Sequence, residues 1–376
     1  IKLIYGLGVY SRGFHKVIEH DPAVKGPHLH AMCASKEESW VWQKKIIDFI
    51  LRYDFDGYHL EASDLGRCTC EACMKKWPVQ ATYYNEITGR CADYIRQQAP
   101  GKYIAAITIS WAEWNTGFTE EDKTNLVALS QKVDSILDQG HHGQYIKQTE
   151  RKAFIERLHC KFGTSAGFWV YPPFRCHRQR WFLPYTQKTG AHIKQLYADG
   201  GRTTLYYQGP VTNPGVEVNI AFGGKIMANV ERNVNDVLAE VLEELYQPKT
   251  AAAQKKLVET FLLAEDAYFN NQNYDTDGIH LKDLPGYPGP GELHIGFGIG
   301  LAGGTSAVPV YLLEPNLIDK GRAAYAKGLE TCLSNICEIE DQVKATERMQ
   351  RLKRSIYCAL DDVITIAYAR ETAKKS

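Results

Sequence analysis

A surplus of charge of either sign is the first thing this chain lacks. Its 44 Lys and Arg are matched by 44 Asp and Glu over 376 residues, for a formal net charge of zero. Nucleic-acid binding depends on basic groups that displace counterions, so a dedicated nucleic-acid partner is excluded on composition. Long hydrophobic runs are missing as well. The longest, around Ile104 to Ala112, is about ten residues where a spanning helix needs ~18, and no membrane partner is expected. A charged-then-apolar leader is absent too. The chain starts on Ile rather than Met, and the expectation is a start that was processed or trimmed. No Gly-x-Gly-x-x-Gly turn follows a strand-like run. Gly6-Leu7-Gly8 lacks the third glycine and lies inside a strand, where a packing role is expected, and no organic cofactor is implied.

What is present suits a soluble globular protein, cytoplasmic or periplasmic. The sequence is 44% apolar and 23% charged, enough for a large core. At roughly 100–200 residues per domain the length allows two domains, or one barrel with attachments. Tyr (22) and Trp (7) outnumber Phe (13). Such rings combine an apolar face with a polar handle and suit sugars, although core and rim packing uses them equally.

The first two-thirds alternate strand and helix. Strand-like runs fall at Lys2–Tyr10, Gly57–Ala62, Tyr103–Ser110, Ser135–Asp138, Ala166–Tyr171 and Thr203–Gln208. Helical periodicity falls between them: from about Ser35, where Ser-Lys-Glu-Glu resembles a capping box, then Thr82–Gln98, Thr124–Lys132, Gln148–Phe162 and Pro184–Asp199. Six strands joined by helix-length connections predict parallel pairing with right-handed crossovers. A doubly wound sheet fits this pattern. A (β/α)8 TIM barrel fits it better, because polar residues gather at the carboxyl ends of the strands, the face that carries barrel chemistry. Two of the eight strands are then expected upstream of Ile1. The expected organisation is a barrel over 1–215, post-barrel helices over 216–274, a Gly/Pro-rich loop over 275–316 and a helical region over 317–376. Val216–Tyr246 reads as one long helical stretch, Ala251–Phe269 as another, and Ile318–Ala369 as a helical hairpin or small bundle. The loop is too long for a turn and reads as a lid or linker.

Cysteine is concentrated in one place. Of ten cysteines, three fall in Cys68-Thr-Cys70-Glu-Ala-Cys73. Three thiolates at this spacing suit one tetrahedral ion with a fourth ligand from elsewhere. Cys33, in the loop after the first strand, is the best fourth ligand, with His28 and His30 behind it, because neighbouring parallel strands set their exit loops side by side. A closed site of this kind is structural, with Zn2+ the natural ion, and pins the loop that carries Asp64. A disulfide and unliganded thiols remain the alternatives. The other cysteines read as small buried hydrophobes.

Carboxyl groups supply the candidate chemistry. Glu61 and Asp64 follow one strand, and two carboxyls at one site are the minimum for glycosidic hydrolysis. The plainer alternative is that Asp64 caps a turn and Glu61 pairs with Arg67 or Arg12. Trp111-Ala-Glu113-Trp114 places a carboxyl between two indoles, which favours a general acid. Asp138 and His141 offer a base or sugar-hydroxyl ligands. Tyr171, Arg175 and Arg178 open a basic aromatic loop suited to a carboxylate or sulfate, and Tyr207 and Gln208 end the last strand. With Arg12, Trp111 and Trp114, these form the candidate substrate-binding set. The alternatives to them are a Gly-rich turn and a solvated basic loop.

The runs GLGVYS (6–11), AMCASKEESW (31–40) and DGYHLEASDLGRCTCEAC (56–73), with DVLAEVLEELYQ (236–247), resemble bacterial barrel proteins related to glycoside hydrolase families 20 and 67. Many of those proteins carry a domain of unknown function. The resemblance covers about residues 1–270 and weakens in the C-terminal helices. It implies a TIM barrel acting on carbohydrate, usually from a chain end. Family 20 hexosaminidases use adjacent Asp-Glu at a strand end. That dipeptide does not occur at a strand end here, so the resemblance carries no acetamide-assisted mechanism to this chain. The expected function is a glycoside hydrolase in polysaccharide degradation, exo-acting on a uronic or sulfated glycan, with homo-oligomers as possible assemblies. A polysaccharide lyase and a non-catalytic carbohydrate-binding barrel are the rival readings.

Overall fold

The computed structural model describes residues 2–10, 14–61, 66–108, 118–138, 148–165, 182, 184–205, 212–269, 279–280, 292–293 and 315–373. The chain divides into two compact units, Ile1–Ser165 with Ala198–Leu205, and Ala166–Tyr197 with Tyr206–Ser376.

The first unit runs β1 (Ile4–Gly8), α1 (His15–His20), α2 (Glu37–Ile50), β2 (Gly57–Glu61), α3 (Glu71–Lys76), α4 (Gln80–Gln98), β3 (Tyr103–Ile107), α5 (Glu120–Ser130), β4 (Ser135–Asp138), α6 (Gln148–Ile155) and β5 (Lys161–Ser165). After α7 (Thr186–Ala198), whose bulk belongs to the other unit, β6 (Thr203–Leu205) completes it. All six strands are parallel and pair in the order β1-β2-β3-β4-β5-β6. A doubly wound sheet reverses its strand order at a switch point, and this sheet does not. Parallel pairing in an unreversed order puts the strand exits along one edge of the sheet.

The sheet is built from alternating side chains. Leu7, Tyr58, Leu60, Ile104, Ala106, Ile136 and Phe162 are fully buried or nearly so. The register Gly8–Glu61–Ile107–Leu137 runs across four strands. Side chains in register share a face, and the next residue along a strand takes the other. Glu61 therefore lies on the face of His59, Ala105 and Ile107, whereas Thr108 and Asp138 lie on the face of Leu60 and Ile104. Helix α4 packs against both α2 and α5, with Trp40, Ile47 and Ile50 burying one side of α2.

Several elements differ from the sequence expectation. Helix α2 starts at Glu37 with Lys36, whose ammonium offers no acceptor, as N-cap; the Ser35 hydroxyl lies 3.1 Å from Cys33 Sγ and does not cap the helix. Helix α5 starts earlier than expected, at a capping box of Thr119 and Asp122. The strand paired with β4 is Lys161–Ser165, within the span expected to be helical. Helix α6 stops at Ile155, which frees Phe162 and Thr164 to pair with Ile136 and Asp138, and 166–171 lies outside the described residues. Gly6 has open space where a side chain would sit, so the expected packing role for this glycine is not seen.

In the second unit, the expected single stretch Val216–Tyr246 is two helices, α8 (Pro214–Ala228) and α9 (Val234–Tyr246). Asn213 caps α8, accepting from the Gly215 and Val216 amides with Pro214 in the first turn. Asn233 caps α9 in the same way. Helix α10 (Ala251–Phe269), the short antiparallel pair β7 (Ile279–His280) and β8 (Glu292–Leu293), α11 (Pro315–Ile339) and α12 (Thr346–Ala373) follow. One apolar core containing Phe222, Leu242, Phe261, Leu329 and Leu352 joins the helices of this unit. Apart from that strand pair and the first two residues of α11, the Gly/Pro-rich segment lies outside the described residues. No helix among the described residues is long and apolar enough to cross a membrane.

Candidate metal centre

The cysteine cluster is assembled by the exits of the two neighbouring strands β1 and β2. Tyr10, two residues past β1, adopts a left-handed conformation at φ 58°, unusual for an aromatic residue and held by its surroundings. Its amide donates to Gln43 Oε1 at 3.0 Å, and its carbonyl accepts from the Met32 amide at 2.8 Å. That bond places Cys33 beside the sheet, where its own amide donates to the Val24 carbonyl at 2.9 Å. On the other side, Cys70 is the N-cap of α3 and its sulfur accepts from the Cys73 amide at 3.5 Å.

Four sulfurs result. Those of Cys33, Cys68, Cys70 and Cys73 all lie within 4.8 Å of one another. Cys33 Sγ is 3.5 Å from Cys70 Sγ and 3.7 Å from Cys73 Sγ. Cys33, Cys68 and Cys73 are buried and Cys70 is partly exposed. None of these pairs is bonded as a disulfide, since ~2.05 Å would be required. The surroundings are shaped to the cluster. A Cβ at Gly26 would collide with Cys68 Sγ and stand 3.3 Å from Cys33 Cβ. The His28 imidazole fills the place a side chain at Gly66 would take, with Nε2 3.0 Å from that position. His28 Nδ1 accepts from the His30 amide at 3.1 Å, and neither histidine belongs to the four-sulfur group.

The electrostatics are those of thiols sharing protons. The Cys33 thiol is pulled down to about 4, chiefly because the Cys68 thiol donates to it, with Ser35 and Cys70 adding smaller contributions. The same bond and burial push Cys68 up, and burial pushes Cys73 up. A cluster this close favours one acceptor thiolate surrounded by donors, and a cation at its centre would favour all four as thiolates. Donor chemistry, spacing and the glycine-shaped space fit a thiophilic metal ion, and the four cysteines can hold one.

The cluster rests on a second layer that the sequence did not single out. Arg67 is buried and donates to the Trp77 carbonyl at 2.7 Å and the Pro78 carbonyl at 3.4 Å. Its guanidinium carbon lies 5.4 Å from the Tyr83 ring centre. Arg67 thus closes the turn around α3 and is committed to those carbonyls, not to Glu61. Only the proximity of Arg67 to Cys68 in sequence could have hinted at this. Gln43 gave no sequence signal at all, being one polar residue on an amphipathic helix.

The other candidate residues divide sharply. Glu61 ends β2, half-buried, and its carbonyl accepts from the Val9 amide at 2.9 Å. Asp138 ends β4, fully buried, and accepts from Thr108 Oγ1 at 3.2 Å on the opposite face of the sheet from Glu61. Arg12, Asp64, Trp111, Glu113, Trp114, His141, Tyr171, Arg175, Arg178, Tyr207 and Gln208 lie outside the described residues.

Neither a protein-family model nor a curated protein matches the chain. Among solved structures, a mutant O-GlcNAc hydrolase from Thermobaculum terrenum aligns over 100% of this chain and 74% of its own, with 11% identity and a TM-score of 0.49. A likeness of that order assigns neither family nor activity.

Proposed function

We propose that this chain is a (β/α)8-barrel glycoside hydrolase, exo-acting on a uronic or sulfated glycan, with a structural Zn2+ at the four cysteines. The observation that carries the reading is the unreversed order of six parallel strands, with Glu61 at a strand exit. Such an order lines strand exits along one edge, where barrel enzymes keep their chemistry. In this reading Glu113, between Trp111 and Trp114, protonates the leaving oxygen. Glu61 or Asp64 acts as base or nucleophile. Arg12, Arg175 and Arg178 grip the acidic substituent, and Tyr171, His141, Tyr207 and Gln208 contact the sugar. Zn2+ supplies no chemistry to the reaction and holds the segment that carries Asp64.

The test is release of reducing ends from a panel of uronate-containing and sulfated oligosaccharides. Wild-type turnover, abolished separately in Glu113→Gln and Asp64→Asn with unchanged folding, is the expected result. No release on any substrate, or wild-type rates in both variants, overturns it.

A further inference from the structure

The distances in the cysteine cluster discriminate between kinds of metal centre. Four thiolates on one tetrahedral ion at ~2.3 Å stand ~3.8 Å from one another. The observed 3.5 and 3.7 Å, with all four sulfurs inside 4.8 Å, match that spacing. An iron–sulfur cluster inserts several irons and sulfides between its thiolates and needs them further apart. Four protein ligands also leave no open position for water or substrate, which marks a structural site.

The position of the cluster is as informative as its size. From Cys33 the chain leads back one residue to Met32, whose amide is bonded to the Tyr10 carbonyl at 2.8 Å. From Tyr10 it leads back one more to Val9, whose amide is bonded to the Glu61 carbonyl at 2.9 Å. From Glu61 the backbone runs forward to Cys68. Among the described residues, the link in this ring that neither backbone nor backbone hydrogen bonds make is the step between Cys33 and Cys68. Four close thiols without an ion can share protons across that step, but they cannot fix it rigidly.

We propose that Cys33, Cys68, Cys70 and Cys73 enclose one zinc-like divalent ion that acts as a clasp, locking the exit of β1 to the exit of β2. This deepens the structural-Zn2+ part of the reading above and does not depend on the reaction. Closing the ring converts two adjacent loops into one rigid unit, so the ion's presence is felt at Val9 and Met32 as well as at the sulfurs. The rest of the sheet is held by its own ladder and does not need the ion.

Amide hydrogen exchange on the full chain tests this without any substrate. The reduced protein is measured with one equivalent of Zn2+, after removal of the ion by chelator, and after return of Zn2+ or Cd2+. Removal is expected to speed exchange at Val9, Met32 and Cys73 roughly tenfold or more, with recovery on return of either ion and no change in β3 and β4. A Cys160→Ser control should behave as wild type. Failure to bind either ion at one equivalent, or the colour of an iron–sulfur cluster, overturns the site and with it the structural-Zn2+ reading. Binding with unchanged exchange at Val9 and Met32 overturns the clasp while leaving the ion in place. Loss of protection throughout β3 and β4 also overturns it, since the ion would then hold the whole fold. Glycan hydrolysis can fail without affecting any of these outcomes.

Discussion

Cys33 Sγ lies 3.5 Å from Cys70 Sγ across 37 residues of sequence, because the two strands that precede them are neighbours in a parallel sheet. The pairing of β1 with β2 therefore does for the cysteines what it does for the strand exits in general: it brings residues far apart in sequence to one place.

Gly26 makes the cluster sensitive to a single methyl group. A Cβ there collides with Cys68 Sγ, so Gly26→Val should leave the sheet folded and reduce bound metal well below one equivalent per chain. Elemental analysis of the purified variant, beside its circular dichroism, checks this.

Arg67 is expected to be a stability residue. Arg67→Ala leaves the carbonyl of buried Trp77 without its donor and removes the longer bond to the carbonyl of exposed Pro78. One orphaned buried group costs about 1–3 kcal/mol, so denaturant unfolding should show a loss of that size. Arg67→Lys should recover only part of it, because one ammonium cannot reproduce the planar fork.

Glu240 contributes to the pH dependence of the second unit's stability. Hydrogen bonds from Arg232 and then Lys225 hold its carboxyl down to about 2, against an ordinary value of 4.5. A carboxyl with a depressed folded-state value stabilises the fold fully above its unfolded value, and that contribution fades as pH falls from about 4.5 through about 2. Wild type should therefore lose more stability than Glu240→Gln across that window, and the two should run parallel above pH 6. Thermal melts at stepped pH read the difference.

How much of this was legible in the sequence depended on the length of each element. Ser135–Asp138 and Ala251–Phe269 were readable to the residue, because each is bounded by clear breaks in the apolar pattern. Helices α1 and α3, six residues each, are too short to establish a 3.6-residue period, and neither was anticipated. Lys161–Ser165, the strand in register with β4, was hidden because it is a polar run at the end of an expected helix, and 166–171 lies outside the described residues. Cys33 was found from strand adjacency. Gly26, Gln43 and Arg67 were not, since their roles come from contacts that spacing does not encode. The face of Asp138 was equally hidden until the register across β2, β3 and β4 separated it from Glu61.

The four-cysteine metal site is tested most directly by native mass spectrometry of the reduced full chain, with parallel counting of reactive thiols. The expected result is one zinc per chain and four thiols that become reactive only after the metal is removed. A chain that carries no metal in the presence of excess Zn2+, with the same four thiols reactive throughout or joined as disulfides, would contradict it.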